Sequence, residues 1–158
     1  MKRMKFAALL LAGVMMLCTA CSSSQPAPAK EVDLPALMEE ILQTAPIDDP
    51  LTLGEADMLD FYGIKAEQMK QFAAILNING ISAQEIVLIE AADEASAEEI
   101  TNKLSNRLSS REAESKDYLP DEYEIISQCE VVRNGTQLRM IIHANAKEAI
   151  AIYNKAFE

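Results

Sequence analysis

Ser82–Ile100 reads SAQEIVLIEAADEASAEEI, and the change of period inside this stretch decides the fold. Ile86, Val87, Leu88 and Ile89 are consecutive aliphatic residues, three of them β-branched, which predicts a strand. Ser96 with Glu99 then forms a capping-box pattern, and Asp93 offers an alternative cap one turn earlier. Ala97, Ile100, Leu104 and Leu108 share one helical face, while Glu98, Asn102, Lys103 and Arg107 share the other. The spacing predicts a helix over about 94–114.

Outward from this strand-helix unit, Phe72, Ala74, Leu76 and Ile78 alternate before Asn79-Gly80 breaks the pattern. They predict a neighbouring strand, with a helix over 68–76 as the alternative because alanine and glutamine also favour helix. Further upstream, Asp33 is placed to cap a helix whose stripe is Leu34, Leu37, Met38, Ile41 and Leu42. Pro46, Asp48, Asp49 and Pro50 end it, and a short helix over about 54–61 precedes a turn at Gly63. Downstream, residues 123–132 and 138–143 read as two strands joined at Asn134-Gly135, since both turn positions accept positive φ. A last helix starts after Asn145, with Ala149, Ile150, Tyr153 and Phe157 as its buried stripe. The expected fold is α+β: a two-layer, mainly antiparallel four-stranded sheet with helices on one face. Its order is ββαββα, preceded by an N-terminal helix.

The N-terminus carries different information. Lys2, Arg3 and Lys5 precede an apolar run of roughly 12 residues, FAALLLAGVMML, which suits a secretory signal and falls short of the ~20 needed to span a bilayer. Cys18, Thr19, Ala20 and Cys21 follow, resembling the lipobox of bacterial lipoproteins, with Cys18 standing where that pattern usually has leucine. The expected organisation is a signal peptide over 1–20, a lipidated flexible tether over 21–31 and a single domain over 32–158. Cys21 is then the acylated first residue, and the chain is held outside the cytoplasm on a bacterial membrane through its lipid. The tether, SSSQPAPAK after Cys21, has too little apolar area to repay ordering.

The chain has 14 basic and 25 acidic residues. Loss of Lys2, Arg3 and Lys5 with the signal takes the net charge from -11 to about −14. That balance argues against nucleic acid and against electrostatic adhesion to an anionic membrane surface. Cys129 is the one thiol left for the folded part and reads as a small buried hydrophobe on a strand.

His143 is the single histidine, and with Cys129 alone it makes a poor metal set, so no metal and no cofactor are expected. The acidic cluster at Asp48, Asp49, Glu55, Asp57 and Asp60, like that at Asp93, Glu94, Glu98 and Glu99, lacks the spacing of a calcium loop. No GxSxG turn, phosphate loop or dinucleotide fingerprint occurs. The candidate ligand contacts are Arg107 and Arg111, four apart on one helical face, with Tyr118 near the helix end and Tyr123 beyond it. They suit a carboxylate or an anionic sugar. The competing account gives the arginines a structural task, covering the sheet with their stems.

YGI at Tyr62–Ile64, the Ser82–Ile100 stretch, Arg107 and Arg111 within LSNRLSSR, YLPDEYEII at Tyr118–Ile126, the hairpin VVRNGTQLRMII and the terminal IYNKAF together resemble the DUF4358 family. The resemblance runs from Asp33 to Phe157 and rests on distributed pattern; members are uncharacterised bacterial proteins, often lipoproteins. This chain departs at Glu90, where the family typically has lysine, and at Thr136 or Gln137, where an aromatic often follows the turn glycine. The resemblance implies no activity, catalytic residue or cofactor. The expected function is a non-enzymatic binding module for an envelope protein or cell-wall component. A small-ligand sensor or transport accessory is the second reading and an envelope enzyme the third.

Overall fold

The computed structural model describes residues 31–158, and its first helix, α1 (Leu34–Leu42), begins where Asp33 predicts. The Asp33 carboxylate accepts from Ala36 N at 3.1 Å, satisfying an otherwise orphaned first-turn donor. Leu34, Leu37, Met38 and Ile41 bury its stripe. The chain then forms β1 (Pro50–Thr52), α2 (Glu55–Tyr62), β2 (Met69–Asn77), β3 (Glu85–Ala91) and α3 (Glu94–Tyr118). It continues through α4 (Pro120–Ile126), β4 (Val131–Asn134), β5 (Gln137–Ile142) and α5 (Ala146–Ala156). The predicted signal, Cys21 with its expected acylation and nearly all of the predicted tether lie outside the described residues. No described helix is long and apolar enough to cross a membrane.

Local signals set several boundaries. Asp93, rather than Ser96, caps α3, accepting from Ser96 N at 2.7 Å. Gly63 closes α2 in the left-handed region at φ 67°, where a side chain would be strained. Residues 69–77 are strand, so the helical alternative there fails.

The four-stranded, one-faced expectation is corrected in three respects. The sheet has five strands in the order β1-β2-β3-β5-β4, with every neighbouring pair antiparallel. β1 is a three-residue edge strand pairing Pro50, Leu51 and Thr52 with Asn77, Leu76 and Ile75. It starts on a proline, which an edge position tolerates, and is too short to show a period.

The second correction concerns 123–132. Pro120 sits in the first turn of α4, with Asp121 and Glu122 favouring the positive end of its dipole, so Tyr123–Ile126 is helix and the strand waits until Val131. A short apolar run does not distinguish the two periods by itself. Cys129 accordingly lies between α4 and β4, half-buried rather than on a strand.

The third correction concerns the layers. Val87 and Ile89 face a core shared with Met58 of α2, Ile100 and Leu104 of α3 and Ile126 of α4. Ile86 and Leu88 face a second core shared with Leu34 and Ile41 of α1 and Ala149 and Tyr153 of α5. Helices therefore cover both faces, which explains why β3 is aliphatic without alternation. The β4–β5 hairpin also turns differently from its prediction. Asn134 ends β4 opposite Gln137, leaving Gly135 at φ 59° and Thr136 as a two-residue loop in which glycine alone takes positive φ.

Candidate functional site

Glu85 opens β3 on the face covered by α3, and at 1% exposure its carboxylate needs a partner there. α3 supplies Arg107, whose Nη2 donates to Oε2 at 2.8 Å and whose Nε lies 3.2 and 3.3 Å from the two oxygens. α2 supplies Tyr62, whose hydroxyl donates to Oε1 at 2.9 Å, and the Arg107 guanidinium stands 5.6 Å from the centre of the Tyr62 ring. Burial pushes the Tyr62 phenol far up, and the Glu85 charge pushes it further, so it stays a donor. Burial alone would lower Arg107, but the hydrogen bonds and charge of Glu85 outweigh it and hold the guanidinium's pKa above its usual value. Three elements are pinned together at this point.

One turn along α3, Arg111 extends the same edge. Its Nη2 donates to Ser82 O at 3.2 Å and its Nη1 reaches Glu114 at 3.5 Å, while its Nε is buried with no partner among the described residues. Arg107 and Arg111 line a groove of about 340 Å³ with Phe61, Leu76, Asn77, Ile78 and Gly80. Phe61 is 41% exposed, Ile78 61% and the nearby Ile81 69%.

The β2–β3 loop carrying both isoleucines is tied at several points. Ile78 N donates to Asp49 O at 3.2 Å, and Ala83 N donates to Glu122 of α4 at 2.7 Å. Asp48 N donates to Gln84 Oε1 at 2.9 Å. Within the loop, Asn79 Oδ1 accepts from Ile81 N at 3.0 Å and Ser82 N at 3.2 Å. Large apolar side chains are thus held outward on an ordered backbone.

Of the four candidate contacts, the fold brings Arg107 and Arg111 together at the groove. Tyr118 ends α3 at 84% exposure and Tyr123 is half-buried on α4; neither lines the groove. Tyr62, Glu85, Phe61 and Ile78 are the site members that sequence reasoning missed. A signal existed for Glu85: a carboxylate opening an aliphatic strand demands a cation from elsewhere in the chain.

Cys129 and His143, distant in sequence, do line a common depression. The His143 ring is nevertheless fully engaged. Its Nδ1 accepts from Asn145 N at 2.9 Å, which leaves the proton on Nε2, 3.0 Å from Pro46 O. Burial pushes the Cys129 thiol up, away from the reactive thiolate, and Sγ lies 3.2 Å from Ile125 O. Among the described residues no group of three or more histidine, cysteine, aspartate or glutamate side chains is placed to hold a metal.

A family model described as a domain of unknown function (DUF4358) matches residues 45–143, narrower than the Asp33–Phe157 span of the sequence resemblance. The match takes in all five strands and the groove and leaves out α1 and α5. No curated protein and no solved structure matches the chain.

Proposed function

The chain belongs to the DUF4358 family, and from that premise we propose that it is a lipid-anchored extracytoplasmic binding module. Its groove at Phe61, Ile78 and Arg111 takes an apolar segment of another envelope protein carrying one carboxylate. The observation that carries this reading is the outward presentation of Ile78 and Ile81 on a loop tied to Asp49, Arg111 and Glu122. Exposed aliphatics cost solubility, and a fixed backbone reduces the ordering entropy of docking. Arg107 is satisfied by Glu85; Arg111, tied to Ser82 O and only 3.5 Å from the exposed Glu114, is the remaining cation at the groove that a carboxylate could draw from Glu114. An overall charge of -11 disfavours a strongly acidic partner.

The groove's volume of about 340 Å³ lies at the low end for small-ligand pockets, roughly 300–1,000 Å³, which supports the sensor reading as the runner-up. Side chains that project outward favour a protein segment over an enclosed ligand. The enzyme reading called for His143 beside an acid and a nucleophile, and the ring nitrogens instead meet Asn145 N and Pro46 O. Export, acylation of Cys21 and a tether to residue 31 supply the location in this proposal.

A photo-crosslinking residue at Ile81 in the lipidated chain, with Glu148 on α5 as the control position, tests the binding role in native envelopes. The expected result is a discrete protein adduct from position 81, absent from position 148 and lost in Ile78→Asp and Arg111→Gln forms. Equal adducts from both positions, or none from position 81, would overturn it. A Cys21→Ala form that stays with the membrane would overturn the anchor separately.

A further inference from the structure

A second arginine lies on the other face of the sheet with no hydrogen-bonded partner among the described residues. β5 places Arg139 opposite Leu88 of β3 and Val132 of β4, and the residue is only 6% exposed. Its guanidinium stands 5.7 Å from the centre of the Tyr153 ring of α5. The nearest carboxylate is that of Glu130, 4.0 Å from Nη2 at the end of an otherwise exposed side chain. Among the described residues its guanidinium makes no hydrogen bond, and Nε is closed off from water. Gln137 Oε1, one pleat away on the same face, is also buried without a donor. A cation taken out of water is costly unless a counter-charge and hydrogen bonds replace its hydration. A buried cation without a hydrogen-bonded acceptor is the exception in a folded protein, and it is Arg139 that calls for an anion.

Both groups line a pocket of about 320 Å³ between β4, β5 and the last turn of α5, walled by Val132, Tyr153, Phe157 and Glu158. We infer that this pocket binds a small monocarboxylate, with its oxygens on the Arg139 guanidinium and a small apolar body against Val132 and Phe157. The inference goes beyond the groove reading and stands on a different face.

Each part of the ligand follows from the wall that meets it. With Nε closed off, the Nη1–Nη2 end of the guanidinium is the part that presents parallel N–H groups at the spacing of a carboxylate's two oxygens. Glu130 near the cation and Glu158 on the wall repel a second negative charge, so dianions such as phosphate are disfavoured. Burial raises the Tyr153 phenol to about 12, so that wall stays neutral.

The same chain shows what it does with an arginine whose role is structural. Arg107 also stands beside a tyrosine ring, at 5.6 Å, but it has the Glu85 carboxylate on its Nε–Nη2 edge at 2.8 to 3.3 Å. Arg139 has the ring at nearly the same distance, but its one carboxylate, that of Glu130, stands off at 4.0 Å, beyond hydrogen-bond reach. The missing piece is the chemical group that completes the first arginine.

The test is a titration of the isotope-labelled full-length chain by NMR, reading the Arg139 Nε–H and the Phe157 ring. The probes are benzoate and butyrate, with butanol and inorganic phosphate as controls and acetyl-Ala-Phe as a peptide carboxyl terminus. Saturable shifts at both groups with the carboxylates are expected at millimolar concentration, with butanol and phosphate at least about ten-fold weaker. Arg139→Gln abolishes them. Phe157→Ala, which leaves the guanidinium in place, weakens benzoate. Tighter binding of benzoate than of the peptide assigns the carboxylate to a free acid, and the reverse order to a chain terminus. Absence of saturable shifts in the unaltered chain, or phosphate binding as tightly as benzoate, would overturn the inference.

Discussion

Replacing Arg107 by methionine removes the counter-charge of Glu85 while keeping most of the stem volume. Glu85 is 1% exposed, so water cannot easily replace the lost guanidinium, and only the Tyr62 hydroxyl remains on its carboxylate. Breaking a buried pair on one side typically costs about 3–5 kcal/mol. The Arg107 side chain is itself 23% exposed, which lets some water into the vacated space and places the expected loss near the low end, about 3 kcal/mol. For a domain of this size that is a fall of roughly 10 °C in melting temperature. Arg107→Met combined with Glu85→Gln is expected to cost less than Arg107→Met alone, about 1–2 kcal/mol. The double form removes the stranded charge, while the amide oxygen still accepts from Tyr62. Urea unfolding followed by circular dichroism gives all the values, with the Glu85→Gln single form completing the cycle. A loss below about 1 kcal/mol for Arg107→Met, or a double variant no more stable than it, refutes the claim that this pair pins α3 to β3.

Three further outcomes follow from the same geometry. Tyr62 and Tyr153 are raised above the usual phenol value near 10, so their contribution is complete below that pH. It declines as pH rises beyond, for Tyr153 up to about 12, and Tyr62→Phe should flatten the alkaline loss seen by denaturant unfolding. Burial works to raise Glu90, but hydrogen bonds from Gln71 and Lys70 win and lower it; its contribution is lost as pH falls from about 4.5, and Glu90→Gln should flatten that acid limb in thermal melts. With Cys18 and Cys21 replaced by serine, the Cys129 thiol should react with a disulfide reagent more slowly than free cysteine, and His143→Ala should not slow it further; a slowing would reveal an activating imidazole.

Legibility in the sequence followed the range of the deciding interaction. Asp33, Gly63, Asp93 and Gly135 act within a few residues of themselves, and the elements they bound lie close to where the pattern puts them. β1 exists because its three residues find the end of β2 across the intervening α2, and nothing local announces that. Tyr123, Ile125 and Ile126 are compatible with either period; Pro120 and the packing of Ile126 onto the α3-side core decide for helix. The second covered face needed α1 and α5, at opposite ends of the domain, to meet on Ile86 and Leu88. For the site, the four-residue spacing of Arg107 and Arg111 was visible, whereas Glu85 and Tyr62, 22 and 45 positions from Arg107, required the fold.

The register of one strand pair decides which arginine is structural. Glu85 of β3 and Arg139 of β5 are the buried charges of these two neighbouring strands, and facing positions would set one against the other. The register pairs Glu85 with Ile142 and Leu88 with Arg139 instead. Side chains alternate faces along a strand, so Glu85 falls with Val87 and Ile89 towards α3, and Arg139 falls with Leu88 towards α5. A full sheet separates the two charges. Glu85 therefore draws its cation from α3, where Arg107 meets it, and α5 offers Arg139 a ring face in place of an anion. A shift of one residue would put both ions on one face, but it would also take Leu138, Met140 and Ile142 out of the core they share with α3 and Ile141 out of the core it shares with α5. The register is fixed by hydrophobic burial, and a guanidinium without a hydrogen-bonded anion at the β5–α5 pocket is its electrostatic consequence.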